Sequence, residues 1–523
     1  MGAVIRRLRT EFFLINMSTP LSEAKVLVAG AGIMGAGIAQ VAAQAGHSVT
    51  LMDARAGAAH EAKVALQSRL EALVAKGKFS ADVLAALLER IHPVDSLAQA
   101  GSADLVIEAI VENLDAKRAL FAQLENLLGP HCVLASNTSS LSITAIAKGL
   151  QQPGRVVGMH FFNPVPQMKL VEVVSGLQTE PAVAQAIAAL AAAWGKQAVF
   201  ARSTPGFIVN RIARPLYAEA LALLHEQAAP PEVLDACMRA IGFRMGPCEL
   251  MDLIGHDTNF AVTQAVYAAN FFDKRYTPSL VQSALVDGGM LGRKSGRGIY
   301  DYTAGAVAPS LPPLAPVQAD DLPRKVQLHQ QAQHAPCMAG WQAALSAAGV
   351  LVELLPGSDW TGLQAGDLQL RQTDGRPASA LGAQVLVYDW HGGAGGALAF
   401  AASSGASAQS LAQGQALLQT LGFTPQRVAD LPGLVAARTL AMLVNEAADA
   451  VQQGVCDVPG ANAAMKLGVN YPAGPFEWLQ RWGAPAVVGI LHALDDFYRG
   501  ERYRVSPWLR HALWQQAHTS PCL

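Results

Sequence analysis

Residues 26–37, VLVAGAGIMGAG, decide the architecture of the first part of this chain. The run from Lys25 to Ala29 is short and apolar, the pattern of a strand buried on both faces of a parallel sheet. It passes without a spacer into Gly30-Ala31-Gly32-Ile33-Met34-Gly35, and a helical pattern continues through Ala45. Gly30 allows the tight turn, Gly32 lets the backbone approach a pyrophosphate, and Gly35 lets helix and strand pack closely. The first helical turn, with Ile33 and Met34, offers unpaired N–H groups to phosphate.

Glycine spacing alone also fits an ordinary strand-turn-helix with an acidic loop residue. Here a second strand, HSVTLMD (47–53), ends in Asp53, about 20 residues past the glycines. A carboxylate there bonds ribose hydroxyls and repels a 2′-phosphate, which favours NAD, while Arg55 leaves NADP open. Residues 57–90 are helical in pattern and too long for a simple crossover, so part should project from the sheet. On it, Lys76 and Lys78 are either contacts for substrate phosphates or solvated charges on a helical hairpin. Ala103–Ala109 and Cys132–Ser136 read as further strands. They place Glu108, Glu112 and Asn137-Thr138-Ser139-Ser140 near the sheet edge where ligands bind in open α/β folds. The Ser and Thr residues there also suit a helix cap.

Residues 155–174, RVVGMHFFNPVPQMKLVEVV, carry the chemistry. His160 stands in an extended apolar run, two prolines force a turn, and Glu172 returns on the next apolar run. An imidazole held by a carboxylate makes a base that works near neutral pH. Beside a nicotinamide, such a base points to hydride transfer at a carbon bearing a hydroxyl. The competing reading is a core histidine satisfied by a neighbouring acid.

With 523 residues the chain is expected to hold two to four domains. Charged residues make up 15% and the formal net charge is −2, which speaks against a nucleic-acid surface or a polybasic membrane anchor. No run of roughly 18 strongly apolar residues marks a membrane span. Residues 1–20 read as a disordered extension or as translation from a start upstream of Met17, rather than as a targeting peptide. Cys132, Cys237, Cys248, Cys337, Cys456 and Cys522 form no C-x-x-C pair, so neither a disulfide framework nor a metal site is expected, and a reducing cytoplasm is the natural setting.

Text from the middle of the chain returns near its end. PGFIVNR (205–211) and its helix match PGLVAAR (432–438) and TLAMLVNEAADAV, and GFRMGPCELMDLIG (242–255) matches GVNYPAGPFEWLQRWG (468–483). Glu219 corresponds to Glu446, Glu249 to Glu477, and Asn210 to Ala437. Residues 409–433 also echo 183–206, which indicates that the end of a sheet domain was duplicated too. No second glycine fingerprint or HFFNP accompanies the second copy, so it is expected not to catalyse. The two helical copies are expected to pack on each other within the chain as subunits of a dimer would, with further homo-oligomerisation left open.

The motifs together are more specific than any one of them. GAGIMGAGIA, EAIVEN, SNTSSL, HFFNPVP followed by KLVEVV, PGFIVNR and GRKSGRGIY occur in the order found in the 3-hydroxyacyl-CoA dehydrogenases, which the chain resembles over roughly 24–302. The resemblance implies a Rossmann-type α/β dinucleotide-binding domain over 21–204 and an all-α domain over 205–303. A linker at 304–335, a degenerate α/β segment at 336–430 and a second all-α copy at 431–523 then follow. It implies NAD as cofactor and an acyl-CoA substrate. By the same resemblance His160 is the catalytic base and Glu172 its orienting partner. Ser139 and Asn210 bind the reacting oxygen and thioester region, and Asn163 lies on the nicotinamide side. Glu112, Lys117, Ser139 and Lys294 join Gly30, Gly32, Ile33, Met34, Gly35 and Asp53 as cofactor contacts. The layout and the stretches LGVNYPAGP and GERYRVSPWLR resemble the long bacterial members of phenylacetate breakdown, which act on 3-hydroxyadipyl-CoA. A 3-hydroxybutyryl-CoA substrate and a non-catalytic nucleotide-binding scaffold are the alternatives. Arg202, Arg211 and Arg244 are candidates for reading a distal carboxylate.

Overall fold

A computed structural model describes residues 21–519 apart from 308, 312, 315, 319, 320, 332–337, 339 and 394. The extension at 1–20, Cys337 and Cys522 lie outside the described residues. The chain divides into two compact units between Ile208 and Val209.

The first unit is built on eight strands: β1 (Val26–Ala29), β2 (Val49–Met52), β3 (Ile91–Val94), β4 (Leu105–Glu108), β5 (Val133–Ser136), β6 (Val156–Phe161), β7 (Leu170–Ser175) and β8 (Gln197–Arg202). Their order is β3-β2-β1-β4-β5-β6-β7-β8. The six from β3 to β6 are parallel, and β7 pairs antiparallel to β6. β1, β4 and β5 are buried at every position, as strands covered on both faces must be. Between β2 and β3, helices Ala58–Ala75 and Ala81–Glu89 form a hairpin that packs Leu66, Leu70, Leu84 and Leu87 into the core, with Lys76 and Lys78 exposed at the turn.

The second unit contains both helical copies and a second sheet. Seven strands, β9 (Lys325–Gln330), β10 (Leu351–Pro356), β11 (Gly362–Ala365), β12 (Leu368–Gln372), β13 (Val385–Tyr388), β14 (Ala397–Ala402) and β15 (Thr424–Arg427), lie in the order β10-β9-β11-β12-β13-β14-β15. β9 corrects the expected linker at 304–335. KVQLHQ alternates Val326 and Leu328 into a core with Trp341, Leu363 and Leu370, so the α/β segment begins before 336. Pro- and Ala-rich composition around it hid a period-two strand. The helix Ala436–Gln452 is buried from Ala436 to Ala450 and forms the centre of the second helical copy.

The duplication extends into side-chain contacts. Arg211 of the first copy bonds Glu446 of the second at 2.6 Å, and Arg438 of the second bonds Glu219 of the first. Tyr276 and Arg275 also reach Glu446, while Tyr503 and Arg502 reach Glu219. Each glutamate therefore receives two arginines and a tyrosine from the opposite copy.

Candidate active site

Parallel pairing puts the carboxyl ends of β1, β2, β4, β5 and β6 on one edge of the first sheet. The glycine turn crosses this edge. A Cβ on Gly30 would lie 2.4 Å from the Ala109 carbonyl oxygen, and one on Gly35 would lie 1.8 Å from that of Gly30. Gly30 also has φ +109°, so only glycine makes this turn without strain. A Cβ on Gly32 would meet nothing within 4 Å. The backbone is thus open to a ligand at Gly32, and no side chain caps the helix Ile33–Gln44 that starts there. Asp53 accepts from the Ala31 N–H at 2.8 Å and the Arg55 N–H at 2.9 Å, which ties the end of β2 to the glycine turn. The Arg55 guanidinium forks onto Glu61. An open glycine turn, an uncapped helix start and a carboxylate beside them fit an NAD dinucleotide.

His160 and Glu172 face each other across the β6–β7 ladder. His160 Nδ1 lies 2.6 Å from Glu172 Oε2, and Glu172 Oε1 accepts from the Ile208 N–H at 3.1 Å. A carboxylate only accepts, so Nδ1 carries the ring proton and Nε2 is left as the acceptor. Phe162 and Phe207 pack on the imidazole with ring centroids 4.5 and 5.8 Å away. The turn that follows is pinned: Lys196 donates to the Val165 and Met168 carbonyl oxygens at 2.6 and 2.8 Å. Burial, without a counter-charge, pulls the Lys196 pKa down. A Cβ on Gly37 would lie 2.9 Å from Val165, so the helix after the glycine turn packs on the turn after His160.

Between these parts lies the loop after β5. Asn137 Oδ1 accepts from the Phe161 N–H at 2.8 Å, which anchors the loop beside the end of β6. Glu112 Oε1 accepts from the Thr138 hydroxyl at 2.6 Å and from the Ser139 and Ser140 N–H groups at 2.9 and 3.1 Å. The Ser139 hydroxyl is 3.2 Å from the same oxygen. Burial pushes the Glu112 carboxyl up, but the Thr138 hydroxyl, the Lys117 charge and the Ser139 N–H outweigh it and hold it below the usual carboxylate range. Lys117 is buried, 2.6 Å from Glu108 and 3.3 Å from Glu112, so it bears on the site by fixing Glu112. Asn163 is exposed on the turn after β6.

The first unit thus gathers the glycine turn, Asp53, Glu112, Lys117, Ser139, His160, Asn163 and Glu172 along one edge. Asn210 and Lys294 belong to the second unit. The Asn210 carbonyl accepts from Arg214 Nε at 2.9 Å, and Lys294 pairs with Asp257 at 2.7 Å. Of the distal-carboxylate candidates, Arg211 is committed to Glu446, while Arg202 and Arg244 are exposed. The sequence reading did not single out Lys196, which acts through backbone carbonyls and leaves no motif. Asn137 was named only within the polar stretch 137–140, without its bond to the Phe161 N–H.

The second sheet repeats β6–β8 as β13–β15 with different residues at the decisive positions. Aligning Pro205 with Pro432 pairs Gln197 with Thr424. The registers Leu170↔Gln197 and Ala397↔Thr424 then set Ala399 in Glu172's place. The register Tyr388↔Phe400 sets Asp389 in the place of His160. Asp389 caps the helix Ala436–Gln452 by accepting from the Val435, Ala436 and Ala437 N–H groups at 2.9, 2.6 and 2.9 Å. No imidazole–carboxylate pair stands at these positions of the second sheet.

The chain is similar to known proteins over nearly its whole length. A family profile described as 3-hydroxyacyl-CoA dehydrogenase, NAD binding domain, matches residues 25–204, and the C-terminal domain of that family matches 206–302 and again 433–518. A profile described as the reduced Rossmann-fold domain of 3-hydroxybutyryl-CoA dehydrogenase matches 370–432. The chain is 43% identical over 513 residues to 3-hydroxyadipyl-CoA dehydrogenase of Escherichia coli K12, covering 97% of this chain and 100% of that protein. It is 39% identical to human mitochondrial hydroxyacyl-coenzyme A dehydrogenase, over 53% of this chain and 90% of that one. A crystal structure of 3-hydroxybutyryl-CoA dehydrogenase from Escherichia coli K12 superposes with TM-score 0.86 at 42% identity, covering 94% and 99% of the two chains. The chain is therefore an NAD-dependent enzyme of the 3-hydroxyacyl-CoA dehydrogenase family, with its C-terminal helical domain present twice around a reduced Rossmann-fold segment.

Proposed function

We propose that the enzyme oxidises (3S)-3-hydroxyadipyl-CoA to 3-oxoadipyl-CoA, as a step in phenylacetate breakdown in the cytoplasm. The observation that carries the chemistry is the 2.6 Å contact between His160 Nδ1 and Glu172 at the carboxyl edge of the first sheet. His160 Nε2 takes the proton of the substrate hydroxyl. Glu172 holds the ring in the tautomer that leaves Nε2 free and stabilises the imidazolium that forms. NAD, when bound, accepts the hydride. Ser139 and Asn210 donate to the carbonyl oxygen as it develops, where fixed dipoles contribute most. Glu112 and Lys117 hold the Ser139 loop in place. Gly30, Gly32, Ile33, Met34, Gly35 and Asp53 seat the dinucleotide, with Asn163 on the nicotinamide side and Lys294 as a further contact.

The substrate assignment is supported by the full-length likeness to a protein named for 3-hydroxyadipyl-CoA. The similar crystal structure is named for 3-hydroxybutyryl-CoA, and that shorter acyl chain is the second reading. Rates with the two thioesters, followed at the NADH absorbance, separate them: the first reading requires the higher kcat/KM for the dicarboxylic substrate. His160→Ala tests the base. It should retain NAD binding and lose roughly 10²–10⁴ in turnover. A variant as active as wild type would refute His160 as the base, whereas a wild-type protein that makes no NADH from either thioester would favour the non-catalytic scaffold.

A further inference from the structure

Arg214 is a buried cation that no carboxylate meets. It is 6% exposed, and among the described residues no Asp or Glu lies within ion-pair distance of it. Its Nε donates to the Asn210 carbonyl at 2.9 Å, Nη1 donates to the Thr263 hydroxyl at 3.1 Å, and the guanidinium lies 4.8 Å from the centre of the Tyr217 ring. Two neutral acceptors and a ring face do not neutralise a charge taken out of water. Other buried arginines of this unit, Arg211, Arg275 and Arg438, each have a glutamate.

The duplication gives an internal control. Counting from the shared Pro-Gly, the helix of the second copy repeats Arg211 as Arg438 and Glu219 as Glu446, and the reciprocal pairing is kept. Asn210 and Arg214 become Ala437 and Ala441, both fully buried. The helical fold and the contact between copies therefore form without an arginine at this position. In this stretch the second copy, which follows a sheet with no His–Glu pair at the equivalent positions, has lost the residue expected to hold the thioester region and the arginine one turn beyond it.

Arg214 also lines a cavity of about 210 Å³, whose other walls include Tyr217, Leu221, Thr263, Tyr276, Leu280 and Arg502. The wall is mostly apolar, and of its two guanidiniums that of Arg502 is paired with Glu219 while that of Arg214 meets no carboxylate, a composition that accepts a methylene chain ending in a carboxylate. Four residues along a helix is about 6 Å. That is the scale of the acyl segment from the thioester region to a distal acid in a six-carbon chain. From these observations we infer that Arg214 binds the distal carboxylate of the acyl chain and selects dicarboxylic thioesters. This inference rests on the dehydrogenase reading above and supplies the substrate contact that the sequence motifs lack.

The test compares (3S)-3-hydroxyadipyl-CoA with (3S)-3-hydroxyhexanoyl-CoA, equal in length and differing in the terminal charge. The wild-type enzyme should favour the dicarboxylic substrate in kcat/KM. In Arg214→Met that preference should fall about 10²-fold, chiefly through KM, and Arg214→Lys should recover part of it. Equal losses on both substrates would overturn the inference, because a role in holding Asn210 or a CoA phosphate acts on both alike. A preference that survives in Arg214→Met would also overturn it and leave the substrate reading intact. Oxidation of neither thioester by the wild-type enzyme would sink the underlying reading itself. Should Arg214→Met fail to fold, the Lys variant and competition by adipyl-CoA against hexanoyl-CoA carry the same comparison.

Discussion

Arg211 donates to Glu446 across the two helical copies, and their counterparts Arg438 and Glu219 make the same bond in the opposite sense. This reciprocity is the mark of an isologous interface, here enclosed in one chain. Burial pushes the Glu219 carboxyl up, but Arg502 and Arg438 outweigh it and hold it below the usual range. Removing one member leaves its partner charged and buried. Arg211→Met should therefore cost about 3–5 kcal/mol in urea unfolding of the full chain. Adding Glu446→Leu should recover part of that loss. A cost near zero for the single variant would show that Arg275 and Tyr276 suffice for Glu446.

A chain ended at residue 320 lacks Glu446 and Arg438, so Arg211, Glu219 and Tyr276 lose the groups that cover them. Such a fragment should dimerise through the uncovered face or precipitate. Sedimentation velocity distinguishes these outcomes from a stable monomer. A monomer as soluble and active as the full chain would refute the view that the second copy stands in for a partner subunit.

Much of the first unit was legible because its constraints are local. The glycine turn, Asp53 and the His160–Glu172 pair each sit where a strand meets a loop, so spacing alone placed them. The strand β9 was missed because six residues with only two strongly buried apolar positions, Val326 and Leu328, give little signal beside a Pro-rich stretch. Arg214 was passed over for a different reason. In sequence it is one more charge at the start of an amphipathic helix, and its lack of a counter-ion exists only in three dimensions.

Asp389 gives the second sheet a pH signature. Burial pushes its carboxyl up to about 6, although the Ala436, Ala437, Val435 and Trp390 N–H groups pull the other way. Its ordinary value is 3.8. Between these two values the folded chain holds a proton that the unfolded chain releases, so its contribution to stability falls as pH rises from about 4 to about 6. The span corresponds to about 3 kcal/mol. Asp389→Asn mimics the protonated form. The stability of wild type minus that of the variant should decline across this window and level off above it. A difference that stays flat from pH 4 to 7 would count against a raised Asp389.

Glu172→Gln separates orientation from simple packing. The amide has two settings. With its oxygen toward His160, its NH₂ faces the Ile208 N–H, and a donor meets a donor. With its NH₂ toward His160, Nδ1 becomes the acceptor and the ring proton moves to Nε2, the nitrogen that must take the substrate's proton. One setting loses the Ile208 bond and the other the productive tautomer, at nearly unchanged volume. Turnover should fall by roughly 10²–10⁴, while NAD binding, read by fluorescence titration, is preserved. The pH–rate profile should also change, because the carboxylate that stabilises the imidazolium is gone. An unaltered kcat and profile would mean that the 2.6 Å contact does not set the tautomer used in the reaction.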